Sequence, residues 1–99
     1  MFLIDVKFTV PDKITPELTA RHRKHLATEY ATGNLLVGGP KVPRIGGVIL
    51  SCHSSLKKVV RLMESDPLVV ANLAEFTVTE FKPLMANEKF YGFLPTTGL

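Results

Sequence analysis

The chain has 99 residues, 45% of them hydrophobic and 21% charged, with a formal charge of +3. That is enough for one soluble domain with its own core. It is too mild a charge to imply nucleic acid, and no apolar run approaches the ~20 residues of a membrane span. Residues 2–10, FLIDVKFTV, alternate, with Phe2, Ile4, Val6, Phe8 and Val10 on one face and Asp5, Lys7 and Thr9 on the other. Period two predicts a half-buried strand ended by Pro11 and Asp12. Thr15 then offers an N-cap, Pro16 suits the first helical position and Gly33 a C-terminal cap, which predicts a helix over about 16–32. Leu18, His22, Leu26 and Tyr30 form its inner stripe, and Arg21 and Lys24 fall on the water side.

Two short branched runs, 34–40 and 46–53, read as strands joined by a Pro/Gly-punctuated loop carrying Lys41 and Arg44. A second helix follows serines fit to cap it, with Leu56, Val59, Val60 and Met63 opposite Lys57, Lys58 and Arg61. Asp66 caps a short further helix that has Pro67 in its first turn, and residues 75–83 alternate again as a last strand. The order β-α-β-β-α-β predicts the ferredoxin-like α+β fold, an antiparallel four-stranded sheet with its helices on one face. The bare face either meets water or packs on its copy in a twofold dimer. Residues 84–99 have no clean period but hold Phe90, Tyr91, Phe93 and Leu94, so this tail is expected to dock on the partner subunit or at the mouth of a cleft.

One cysteine, Cys52, permits no internal disulfide, and the start MFLIDVKF lacks the basic n-region and apolar run of a signal peptide; a cytoplasmic home is expected. Cys52 alternates with Val48 and Leu50, which predicts packing rather than nucleophilic work. The basic residues of the two helices read as solvated outer faces. No stacking aromatics lie among them, so neither a nucleic-acid nor a membrane partner is expected. His22 and His25 stand close to one turn apart, yet a metal site needs further ligands, and none is expected.

The run RHRKHLATEYATGNLLVGGPKVPRIGGVIL, followed by ESDPLVVANLAEFTVTEFKP, resembles the YCII-related (YciI-like) family of small dimeric α/β-barrel proteins. The likeness spans residues 2–83: a helical histidine eleven residues before Gly33 of G-x-L-L-x-x-G-P, a Ser-Asp-Pro after the second helix, and a closing E-F-x-V-x-E-F-x-P strand. The resemblance implies a domain over 1–83, a homodimer or a higher oligomer of dimers, and a His–Asp pair in a cleft. Carried over by position, the pair is His22 and Asp66. Members resemble muconolactone isomerases in fold, and the family includes a dehydrochlorinase of chlorinated hydroquinones. The implied activity is cofactor-free proton transfer, by isomerisation or elimination, on a cyclic or aromatic-derived organic acid. Lys41 and Arg44 are expected to clamp a substrate carboxylate or phenolate, with His25 at the rim. The alternative is a non-catalytic small-ligand-binding or interaction module using the same cleft.

Overall fold

The computed structural model describes residues 1–93. Four strands, β1 (Phe2–Phe8), β2 (Leu35–Pro40), β3 (Gly46–Ser51) and β4 (Ala74–Glu80), form one antiparallel sheet in the order β2-β3-β1-β4. The helices are α1 (Pro16–Ala31), α2 (Leu56–Glu64) and the single turn α3 (Pro67–Val70). This is the ferredoxin-like arrangement that the element order predicts.

Each helix begins at a side-chain cap. Thr15 Oγ1 accepts from Leu18 N at 3.2 Å, Ser55 Oγ from Lys58 N at 3.3 Å and Asp66 Oδ1 from Leu68 N at 2.8 Å. Such acceptors satisfy amides that have no partner within the helix. Helix α1 ends at Thr32, and Gly33 follows at φ +85°, a left-handed conformation that costs glycine nothing.

The register sorts the strand residues by face. Phe2, Ile4 and Val6 point under the helices and meet Leu26 of α1, Ile49 of β3, Val59 and Met63 of α2 and Leu68 of α3 in one core. Full burial of side chains this size stabilises by about 1.5–3 kcal/mol each. The opposite face carries Leu3, Asp5 and Lys7 from β1, Val48 and Leu50 from β3, and Thr77 and Thr79 from β4, with no helix over it.

Strand ends differ from the sequence expectations by a few residues, for local reasons. Strand β1 stops at Phe8 because Thr9 and Val10 bend into a 3-10 turn over Pro11–Lys13. Strand β3 stops at Ser51, where the His53 ring turns back onto the Ser51 hydroxyl. Strand β4 stops at Glu80: Phe81 still donates to Met1 O, but Pro83 has no N–H with which to continue. The tail runs to a second 3-10 turn, Glu88–Phe93, with Met85, Phe90 and Tyr91 exposed. The rest of the expected docking segment, residues 94–99, lies outside the described residues. Among the described residues no helix is long and apolar enough to cross a membrane.

Candidate active site

A cleft of about 500 Å³ opens between the inner face of α1 and the strands β2 and β3. Its helix wall presents Thr19, His22, Arg23, Leu26, Ala27 and Tyr30. His22, Leu26 and Tyr30 belong to the inner stripe seen in the sequence, with Ala27 beside it, and Thr19 and Arg23 are added while Leu18 does not line the cleft. Its sheet wall is backbone for much of its length, because Gly38, Gly39, Gly46 and Gly47 stand there. Gly38 in particular has no room for a side chain, since a Cβ would collide with the Tyr30 hydroxyl.

His22 and Asp66, 44 residues apart, meet at the edge of this cleft. His22 Nδ1 lies 2.5 Å from Asp66 Oδ2, while Asp66 Oδ1 keeps its cap to Leu68 N. Asp66 is 1% exposed and the His22 side chain 22%. One carboxylate therefore performs two tasks, and α3 delivers it to α1. The ring geometry follows. With Nδ1–H donating to the carboxylate, Nε2 carries the lone pair, and it has no protein partner among the described residues. A base so fixed can take a proton from a molecule in the cleft, and the carboxylate stabilises the imidazolium that results.

Two guanidinium groups border the same cleft. Arg44 donates to Thr19 Oγ1 at 3.3 Å and lies 6.0 Å from the centre of the Phe8 ring, close enough for a cation–π contact. Arg23 lines the opening beside it. Neither has a carboxylate partner among the described residues, where the ion pairs are His22–Asp66, Lys41–Asp5 and His53–Glu29. Uncompensated cations at a concave opening attract an anion and hold its oxygens in a bidentate geometry.

The structure separates the other expected site residues from this cleft. Lys41 does not clamp alongside Arg44: its Nζ bonds Asp5 Oδ1 at 2.8 Å on the helix-free face, because the register shift between Leu35 and Val37 puts Val37, Gly39 and then residue 41 on that side. His25 does not sit at the rim either. Its Nε2–H donates to Leu62 O at 2.8 Å and ties α1 to α2. His53 lies outside the lining of the cleft. It is buried, with Nδ1 at 2.5 Å from Ser51 Oγ and Nε2 donating to Glu29 at 2.8 Å. Asn34 also donates to Glu29, at 3.0 Å. The Asn34 amide holds the Glu29 carboxyl below its ordinary value of 4.5, with help from the His53 imidazole, against the opposing effect of burial. Ser51 is fully buried in β3, so this chain of hydrogen bonds is a tie between α1 and the sheet and not a second reaction centre. Cys52 is half-buried, its thiol donating to Gly33 O at 3.0 Å. Among the described residues no group of three or more His, Cys, Asp or Glu side chains converges as metal ligands.

Sequence reasoning missed Arg23 and Tyr30. Tyr30 belongs to the inner stripe and reads as core from its spacing; the glycines across from it are the signal that could have found it. Burial raises the Tyr30 phenol above its ordinary value of 10.0, so it stays a donor across the physiological range.

A ferredoxin-like α+β domain with a cleft between its first helix and two glycine-rich strands is the class that the geometry defines. A family model for the YCII-related domain matches residues 2–82, and the chain belongs to that family. Among solved structures, 5-chloro-2-hydroxyhydroquinone dehydrochlorinase (TftG) from Burkholderia phenoliruptrix AC1100, in complex with 2,5-dihydroxybenzoquinone, superposes with a TM-score of 0.61. It is 24% identical over 82% of this chain and 92% of its own, a likeness of fold. No curated protein matches the chain.

Proposed function

We propose that the protein is an enzyme of cofactor-free proton transfer, acting by isomerisation or elimination on a small cyclic or aromatic-derived organic acid. The observation that carries this reading is the His22–Asp66 pair at the wall of an open cleft. His22 Nε2 removes a proton from a carbon of the substrate. In an elimination, the electron pair of that C–H bond forms a double bond while the leaving group departs with its own pair. In an isomerisation, the imidazolium returns the proton at another carbon of the same system. Asp66 holds the tautomer and offsets the charge that develops on the ring. Arg44, with Arg23 beside it, binds the carboxylate or phenolate and stabilises negative charge that accumulates in the transition state.

The fold neighbour supports this reading, since its name describes a dehydrochlorinase of a hydroquinone and it carries a dihydroxybenzoquinone. Further support is that Asp66 is more than a cap; a carboxylate spent only on Leu68 N would have favoured a binding module. The proposal includes a homodimer formed through the helix-free face, with the tail from residue 84 docked on the partner subunit, and a cytoplasmic location in keeping with the unpaired Cys52.

The decisive test is His22→Gln. With a panel of lactones and hydroxylated or halogenated ring acids as substrates, the variant should lose turnover by about 10²–10⁴-fold while its circular dichroism and melting curve stay those of the parent. Turnover retained by the variant would refute His22 as the base.

A further inference from the structure

The proton-transfer reading uses His22 and the arginines and leaves one polar group of the cleft without a task. Tyr30 closes the inner stripe of α1, eight residues beyond His22, so the two backbones stand about 12 Å apart along the helix axis. Among the described residues no buried side-chain nitrogen or oxygen lacks a partner. The Tyr30 hydroxyl makes no hydrogen bond to those residues, so it is not sealed from solvent, and Tyr30 lines the cleft. It is also confined. Gly38 lies against it so closely that only the lack of a Cβ lets the phenol stand where it does.

The order of groups along α1 sets a direction. Thr19, which holds Arg44, comes first; His22 follows about 5 Å along the axis; Tyr30 lies about 16 Å from Thr19. Side chains on a helix lean toward its N-terminus, the direction of His22, and the Tyr30 hydroxyl lies against Gly38 on the strand wall of the same cleft. With a volume of about 500 Å³, the space exceeds what a single unsubstituted ring fills.

We propose that Tyr30, seated on Gly38, is the distal specificity residue of this cleft, and that it reads a hydroxyl or carbonyl at the far end of an elongated cyclic acid whose carboxylate lies between Arg23 and Arg44. The proposal rests on the cleft being the substrate site and adds the polarity of the substrate. The proton that His22 moves lies near the carboxylate end, and the group bound by Tyr30 lies remote from the reacting carbon. A phenol whose ring is packed and whose hydroxyl is unpartnered favours a ligand with a hydrogen-bonding group there and rejects one that leaves it unpaired.

The test is calorimetric binding of phenylpropanoate and of its para-hydroxy derivative, a pair that differs only at the remote end. The parent protein should bind the hydroxylated acid about five-fold more tightly. Tyr30→Phe, which keeps the ring and its packing, should bind both equally, with the affinity for phenylpropanoate unchanged. Gly38→Ala, which displaces the phenol, should erase the preference as well. Arg44→Met should weaken both probes by the same factor. A preference that survives in Tyr30→Phe, equal affinities in the parent, or no binding of either probe in the millimolar range overturns the proposal. Binding is read without turnover and in His22→Gln alike, so failure of the distal subsite and failure of the proton-transfer reading are separate results.

Discussion

At the scale of single residues, Asp66 concentrates the consequences. Its two oxygens divide between the Leu68 amide and the His22 ring, and only the second partner enters the proposed chemistry. Asp66→Asn separates the two. The amide oxygen still accepts from Leu68 N, so α3 keeps its cap. The amide NH₂, however, donates to Nδ1, which forces the proton onto Nε2 and removes the base from the cleft. We expect the rate constant for turnover to fall by about 10²–10⁴-fold with little change in KM or in melting temperature. A fall in melting temperature that tracks the loss of activity would reassign Asp66 to structure alone.

At the scale of elements, α1 is held at its middle and at its C-terminal end. His25 ties its middle to the Leu62 carbonyl of α2, and Glu29 ties its last turns to His53 and Asn34 beside β2 and β3. The second tie depends on pH. The folded carboxyl of Glu29 titrates below its ordinary 4.5. Its contribution to stability is therefore complete above 4.5 and is lost as the pH falls through the lower, folded value. In urea unfolding, Glu29→Gln should be less stable than the parent near neutral pH, and the gap should close as the pH drops below about 4.5. A gap independent of pH would show that the charge contributes nothing. Spacing alone made α1 and its inner stripe legible and put His22 on it and His25 at its edge, while the choice of His22 as a site residue rested on the family resemblance. The caps Thr15, Ser55 and Asp66 were legible too, since each precedes an apolar period. The glycine-lined wall and the side of the sheet that Lys41 takes were not. Both depend on which strand lies beside which helix, and no local pattern around residues 38–47 encodes that. The Glu29–His53 tie was hidden for the same reason, with 24 residues between its members.

At the scale of the whole molecule, the helix-free face is the feature that asks for an explanation. Leu3 is 43% exposed, Val37 58% and Val48 39%, and with Leu50 they lie to one side of the Asp5–Lys41 pair, with Lys7 on the other. An apolar row bordered by a charge pair is the surface through which the proposed homodimer would form. In sedimentation the protein should run at twice the mass of one chain, and Val48→Asp should halve that while the helix content is retained. A monomeric parent would remove the dimer from the proposal. The cleft on the other side of the sheet has a different kind of permanence. One of its walls is largely main chain, and Gly38 cannot acquire a side chain without evicting a neighbour. A side chain at Gly38 or Gly46 can only subtract space, because its Cβ would meet the Tyr30 hydroxyl or the Val6 backbone. New ligand preferences are therefore written most freely on α1, at Ala27 and Tyr30, so diversification of this cleft should run along a single helix.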